Sequence, residues 1–382
     1  MRSAERMRLA MQLERPDRVP LMCQPSWGFV LTQVPGLDPV DLWHNREEAY
    51  PRAFCQISER FGFDGVLIPA VGLAPLDEST VMGVETGHPE GLLIRFLGGD
   101  SCTYCLNDLP RYQHMVPPEI TIDELDPDDI PGTITFHPPS NRLRMYIRED
   151  PYGRVAEIHQ ARNITSGELS IHGSVYAPED YLIDRLGVEA AFMAMLSHPD
   201  KCREILLRYA LALCGHVSEQ IEAGADAINF SAPWTGQNFI GLDMYESVII
   251  PAQREIAMLC REKGVSCYCH TCGEIDDRLE MIIDTGFSGL ECLDPPPLGN
   301  VKLEEAVRRI GDRAFIKGNI DPVNMLMNGT PEQVREDAIR RLEIGMKAKG
   351  FILSTACSIA PATPPENLEV LHEVVERYGY YS

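Results

Sequence analysis

The chain has 382 residues, 57 of them acidic and 34 basic, for a formal net charge of −23. Phosphate binding needs a basic face, so this charge argues against nucleic acid as a partner and disfavours anionic membrane surfaces. A hydrophobic content of 44% with 24% charged residues is that of a globular protein with a sizeable core.

Met1 to Pro20 is charged throughout and has no apolar h-region, and the longest apolar run, Ala190–Leu196, is too short to span a bilayer. The expectation is a soluble, cytoplasmic protein whose 12 cysteines are thiols or metal ligands and not disulfides. Ser3–Glu14 reads as a short helix that Pro16 stops. Thereafter apolar runs alternate with helical stretches. Strands are predicted at Val19–Cys23, Gly65–Pro69, Leu169–Ser174, Ala227–Ser231, Ser266–Cys272, Gly289–Leu293, Ala314–Gly318 and Phe351–Ala356. Helical segments at Met244–Lys263, Glu274–Thr285, Leu303–Ile310 and Pro331–Lys349 separate the later strands, and Gly224, Gly264, Gly286 and Gly350 supply stops before them.

Eight strands with helices between them predict an α/β fold, a (β/α)8 TIM barrel closed by a parallel sheet. A doubly wound sheet is the alternative, but the glycine-rich first turn that usually marks it is missing. The stretch 71–168 is too long for one βα connection. It holds hairpin-like pieces at Leu92–Leu97 and Thr103–Leu106 and an acidic, proline-rich run from Pro117 to Pro139. We expect one domain over 1–382, with 71–168 inserted after the second strand and covering the barrel mouth.

In such a barrel the chemistry gathers at the C-terminal ends of the strands. His270 and Cys272 close the fifth predicted strand, and residues two apart on a strand share a face. With Cys357 at the end of the eighth strand they form a three-ligand set for zinc that leaves one position open. The competing reading is a Cys-rich buried strand, because free cysteine packs as a small hydrophobe. Glu291 and Asp294 end the sixth strand, as candidates for acid/base work or a fourth ligand; their opposite parity puts at most one inward. Trp27, His172, Tyr176, Asn229, Trp234 and Asn319 also fall at strand ends and are candidate substrate contacts. The structural alternatives are a rim histidine for His172, a helix cap for Asn319 and plain packing for the tryptophans. Cys102 and Cys105 form an isolated C-x-x-C, and Cys267 and Cys269 have the parity of the helix-facing side.

Several segments together resemble the uroporphyrinogen decarboxylase superfamily, and within it the zinc-dependent, corrinoid-linked methyltransferases. They are Arg15–Pro20, His270–Gly273, Gly318–Pro322, Gly329–Glu332 and Phe351–Cys357. The resemblance covers nearly the whole chain, least well over the insertion. It implies that His270, Cys272 and Cys357 are the zinc ligands. It further implies that a methyl group moves between a corrinoid (cobalamin) and either a thiol or a small methylated donor, as in an O-demethylase. The chain lacks the D-x-H-x-x-G pattern of one type of corrinoid domain, so the corrinoid is expected on a separate partner protein. A homodimer is implied by the resemblance alone. Porphyrinogen decarboxylation is the alternative, and it fits poorly because Leu21–Gly28 carries no arginine to hold substrate carboxylates. A non-catalytic barrel that binds a corrinoid protein is the third reading.

Overall fold

The computed structural model describes residues 1–71, 75–113, 120–132, 134 and 150–381. Its strands are β1 (Gly65–Leu67), β2 (Val81–His88), β3 (Gly91–Phe96), β4 (Ser101–Cys105), β5 (Arg111–Gln113), β6 (Ser170–Tyr176), β7 (Ala227–Ser231), β8 (Ser266–Thr271), β9 (Gly289–Cys292), β10 (Phe315–Ile320) and β11 (Phe351–Thr355). Seven of them form one parallel sheet in the order β1-β6-β7-β8-β9-β10-β11. Each crossover carries at least one helix, and the strands are buried on both faces along nearly their whole length. Burial on both faces is why they read in the sequence as apolar runs and not as alternating ones.

The expected first strand, Val19–Cys23, is not a strand. It is held by single bridges: Leu353 N donates to Pro20 O at 2.9 Å, Met22 N to Leu353 O at 3.0 Å, and Asp64 N to Leu21 O at 2.7 Å. The segment therefore touches β11 on one side and the entry to β1 on the other. Pro20 lies within it and Pro25 just beyond it, and a residue without an N–H cannot carry a ladder onward.

Between β1 and β6 the chain forms a four-stranded antiparallel sheet, β2-β3-β4-β5. Gly98 and Gly99, at φ 95° and 94°, turn β3 into β4 in a backbone conformation that side chains resist. The loop after β4 approaches the segment that follows Cys23. The carbonyl oxygen of Asn107 lies 1.9 Å from where a Cβ on Gly28 would sit, so only glycine fits there. Residues 117–119, 133 and 135–139 of the Pro117–Pro139 run lie outside the described residues. Among the described residues no helix is long and apolar enough to cross a membrane.

Candidate metal centre

A hydrogen-bonded chain crosses the inside of the sheet near the C-terminal strand ends, one side chain per strand. Ser174 of β6 donates to Asn229 Oδ1 of β7 at 3.4 Å, and Asn229 Nδ2 donates to Glu291 Oε2 of β9 at 2.8 Å. The same Oε2 lies 2.9 Å from His270 Nδ1 of β8, and the Lys317 ammonium of β10 pairs with Glu291 Oε1. Register makes this possible, because His270 is the ladder partner of Glu291, and Glu291 of Lys317. Glu291 is 2% exposed, so its charge is compensated entirely by these donors.

With Nδ1 committed to Glu291, His270 turns Nε2 toward a group of sulfurs. Nε2 lies 3.5 Å from Cys272 Sγ and 3.6 Å from Cys292 Sγ, and Cys272 Sγ lies 3.7 Å from Cys292 Sγ and 3.8 Å from Cys357 Sγ. The four donor atoms all fall within 4.8 Å of one another. Zinc takes sulfur at about 2.3 Å and imidazole nitrogen at about 2.0–2.1 Å, so a tetrahedron has S–S edges of about 3.8 Å and S–N edges of about 3.6 Å. Four of the six donor–donor separations match those edges, and the other two are at most 4.8 Å. The donor set suits a tetrahedral, thiolate-rich zinc.

Cys292 is the donor that sequence reasoning missed. As the neighbour of Glu291 on a regular strand it belongs to the opposite face. The backbone departs from that pattern: Cys292 has φ 81° and Leu293 has φ 52°, two consecutive non-glycine residues in the left-handed region. The turn-over brings Cys292 Sγ to the same side as Glu291. The only sequence sign of irregularity is the Pro295-Pro296-Pro297 run that follows.

The electrostatics are those of a group waiting for a cation. Hydrogen bonds from Cys272 and Cys292 hold the Cys357 thiol far below the usual range, against the effect of burial. Burial alone would push His270 down, but the Cys272 and Cys357 sulfurs raise it to about 10. Burial, reinforced by Cys272 and Cys357, pushes the Cys292 thiol up. Cys267 and Cys269 lie outside the cluster with their thiols raised by burial, and Cys260 of the helix Ile250–Glu262 sits against Cys267. Burial likewise raises Cys102 to about 12, and neither Cys102 nor Cys105 joins a metal-ligating group among the described residues.

The remaining candidates separate. Both oxygens of Glu291 are engaged, so it stands behind His270 and faces no open coordination position. Asp294 Oδ2 accepts from Gly273 N at 2.6 Å, while Oδ1 is buried without a hydrogen-bond partner. Burial raises the Asp294 pKa. Trp27, Tyr176 and Trp234 line a cavity of about 550 Å³, together with Arg46, Tyr50 and Ser358, the residue after Cys357. The Arg46 guanidinium lies 4.2 Å from the centre of the Tyr50 ring and is paired with Glu157.

Two expected substrate contacts are elsewhere. His172 is fully buried between Tyr268 Oη at 2.8 Å and Ser170 Oγ at 3.1 Å, and burial pushes it down to about 3. It is a neutral core residue, because β6 runs four residues further before reaching the mouth. Asn319 donates to Leu293 O at 2.8 Å and accepts from Arg341, which ties the end of β10 to the turned-over β9. Phe230 packs against Phe287 at 5.1 Å, away from the cavity.

A sequence profile for uroporphyrinogen decarboxylase (URO-D) matches residues 140–378. Similar proteins include the methylcobamide:CoM methyltransferase MtbA of Methanosarcina acetivorans, 31% identical over 239 residues that make 60% of this chain and 65% of that protein. The methylcobamide:CoM methyltransferase MtaA of Methanosarcina barkeri is 26% identical over 56% of this chain and 60% of its own. A uroporphyrinogen decarboxylase of Cupriavidus necator is 26% identical over 80% and 79%. The matched segment thus spans less than two thirds of the length of these methyltransferases. Among solved structures, a methyltransferase from Methanosarcina mazei superposes with a TM-score of 0.74 at 20% identity, over 99% of both chains. A B12-independent methionine synthase from Shewanella sp. W3-18-1 follows at 0.54 and 14%, over 94% and 98%. At such identities the likeness is one of fold.

Proposed function

This chain belongs to the uroporphyrinogen decarboxylase (URO-D) family, and on that premise we propose that it is a zinc-dependent methyltransferase. It exchanges a methyl group between a small substrate, either a thiol or a methyl ether, and a corrinoid carried by a partner protein. The observation that carries this reading is the tetrahedral spacing of His270, Cys272, Cys292 and Cys357 beside an aromatic cavity. Zinc held there would supply a Lewis acid that keeps a thiol deprotonated or polarises an ether oxygen.

The chain's own residues do the rest. Glu291 accepts the Nδ1 proton of His270, which fixes the tautomer that presents Nε2 to the metal. Asn229 and Lys317 satisfy the remaining valences of that carboxylate, so it cannot swing into the ligand set. Asp294, with Oδ1 unpartnered, is the group placed to hold a proton. Trp27, Tyr176 and Trp234 form apolar walls of a pocket in the usual size range for small ligands, which exclude water from the substrate. Decarboxylation of a carboxylate-rich porphyrinogen has less support: Arg46, the one arginine lining the cavity among the described residues, is already engaged by Glu157.

The test is zinc content by elemental mass spectrometry beside methyl transfer with cob(I)alamin and methylcobalamin. The expected result is about one zinc per chain, with zinc and activity lost together in Cys272→Ala. A parent protein that stays zinc-free after reloading, or a Cys272→Ala variant with undiminished methyl transfer, would overturn the reading.

A further inference from the structure

We infer that the small molecule taken by the aromatic cavity carries an ammonium group, held by Asp180 beside the rings of Trp234 and Tyr176. The ligand's role as substrate rests on the methyltransferase reading above, but the binding itself needs no metal. The thiol or ether of that reading is thus a cationic one, with an N–H to donate.

The charges in the cavity wall single out Asp180. Among the described residues the wall holds three charged side chains, Arg46, Asp108 and Asp180. Arg46 is neutralised by Glu157, and its Nη2 donates to Pro69 O at 3.2 Å. Its guanidinium also lies 4.2 Å from the centre of the Tyr50 ring, with Trp27 at 5.6 Å and Trp43 at 5.9 Å, so that end of the cavity already holds its cation. Asp108 pairs with Arg111 at 2.9 Å. Asp180, in the first turn of the helix Glu179–Leu186, is 8% exposed, and its Oδ2 is buried without a hydrogen-bond partner. Burial first, then Glu179, with a smaller part from Asp184, hold its pKa well above the usual carboxylate range, against a hydrogen bond from Trp234. Burying a carboxyl without a full set of partners costs free energy, and a cation entering the cavity supplies both the charge and the donor that are missing.

The surroundings favour the same class of ligand. Trp234 hydrogen-bonds Asp180, and Tyr176 lies within reach of its charge, so an ammonium at Oδ2 has both rings beside it. An ammonium over an aromatic face gains roughly tenfold in affinity once desolvated. The net charge of −23 draws cations toward the protein and repels anions. A substrate bearing a carboxylate or sulfonate would instead meet Arg46, whose charge Glu157 already balances. The cavity of about 550 Å³ suits a small ligand. Ser358, next to Cys357, lines the same cavity, so a molecule anchored at Asp180 shares its pocket with the edge of the cysteine cluster.

The test is a tryptophan-fluorescence titration, because all 3 tryptophans of the chain, Trp27, Trp43 and Trp234, line this cavity. The probes share one carbon skeleton and differ in charge: 3,3-dimethylbutylammonium, 3,3-dimethylbutan-1-ol and 3,3-dimethylbutanoate. The ammonium should bind about tenfold more tightly than the alcohol, and the carboxylate most weakly. In Asp180→Asn the ammonium should fall to the level of the alcohol. That variant should melt no lower than the parent, since a neutral amide replaces an uncompensated buried acid. Trp234→Leu, read through the other two tryptophans, should weaken the ammonium more than the alcohol. Equal binding of the three probes, a preference for the carboxylate, no binding of any probe, or undiminished ammonium binding in Asp180→Asn would each overturn the inference. The titrations are run on zinc-free and zinc-loaded protein, and the preference should be the same in both. Loss of the preference with zinc and methyl transfer intact would sink this inference alone, whereas absence of zinc with the preference intact would sink only the methyltransferase reading.

Discussion

Replacing Glu291 by glutamine tests the layer behind the cluster. The carboxylate receives three donors: His270 Nδ1 at 2.9 Å, Asn229 Nδ2 at 2.8 Å, and the Lys317 ammonium. Glutamine offers one acceptor oxygen and, in place of the other, an amide that is itself a donor. One of the three must then face another donor, and the buried lysine loses its counter-ion. A hydrogen bond to a charged group is worth about 1.5–3 kcal/mol, and loss of such a partner behind a ligating histidine weakens metal binding about 10–100-fold. These two estimates agree, since a factor of ten is about 1.4 kcal/mol. Zinc affinity measured by chelator competition should therefore fall by about one to two orders of magnitude in Glu291→Gln. The melting temperature of the metal-free protein should fall as well, most clearly below neutral pH. Burial pulls the Lys317 pKa down to about 7, so only there is the lysine mostly charged. Adding Lys317→Met should recover the melting temperature and leave the zinc affinity low. A Glu291→Gln protein that folds normally and binds zinc within twofold of the parent would refute the argument.

Two further outcomes follow from buried groups. His270 has its pKa raised to about 10 without metal, and only neutral imidazole ligates. Zinc uptake should therefore expel a proton from this residue, and affinity should climb at least tenfold per unit between pH 6.5 and 9; a flat profile in the competition assay would contradict the assignment. Glu179 has one oxygen accepting from Gln253 at 3.0 Å and the other buried without a partner, and burial raises it from the usual 4.5 to about 7. Its folded pKa exceeds the unfolded one, so ionisation costs nothing below 4.5, costs progressively more up to 7, and by then reaches about 3 kcal/mol. Glu179→Gln should accordingly melt higher than the parent at pH 8 and not at pH 4.5, and an equal shift at both would show that charge is not the cause.

Alternation along a strand tells which face a residue takes, and that rule carried His270 and Cys272 to one side of β8 with no knowledge of the fold. It does not tell depth. His172 and Tyr176 share a face of β6, but four residues at about 3.3 Å each separate them by about 13 Å. One is therefore locked in the interior against Tyr268, and the other lines the cavity. Only the register between neighbouring strands fixes depth, and register is a property of packing that no single segment contains. The seven ladder strands were legible because burial on both faces leaves continuous apolar runs. Val19–Cys23 has a similar apolar composition, but Pro20 within it and Pro25 beyond it reduce it to single bridges.

Cys292 was hidden for a third reason. Where the chain turns over at Cys292 and Leu293 the period of two fails, and cysteine is a residue that apolar packing also welcomes. The backbone that hides this donor also delivers it. Had β9 stayed regular, Cys292 would face the helix layer and His270, Cys272 and Cys357 would stand as a three-ligand site with a vacant position. The left-handed turn instead closes the tetrahedron, and it does so next to the carboxylate that orients His270. A single irregularity in β9 therefore determines whether the candidate centre offers three donors or four.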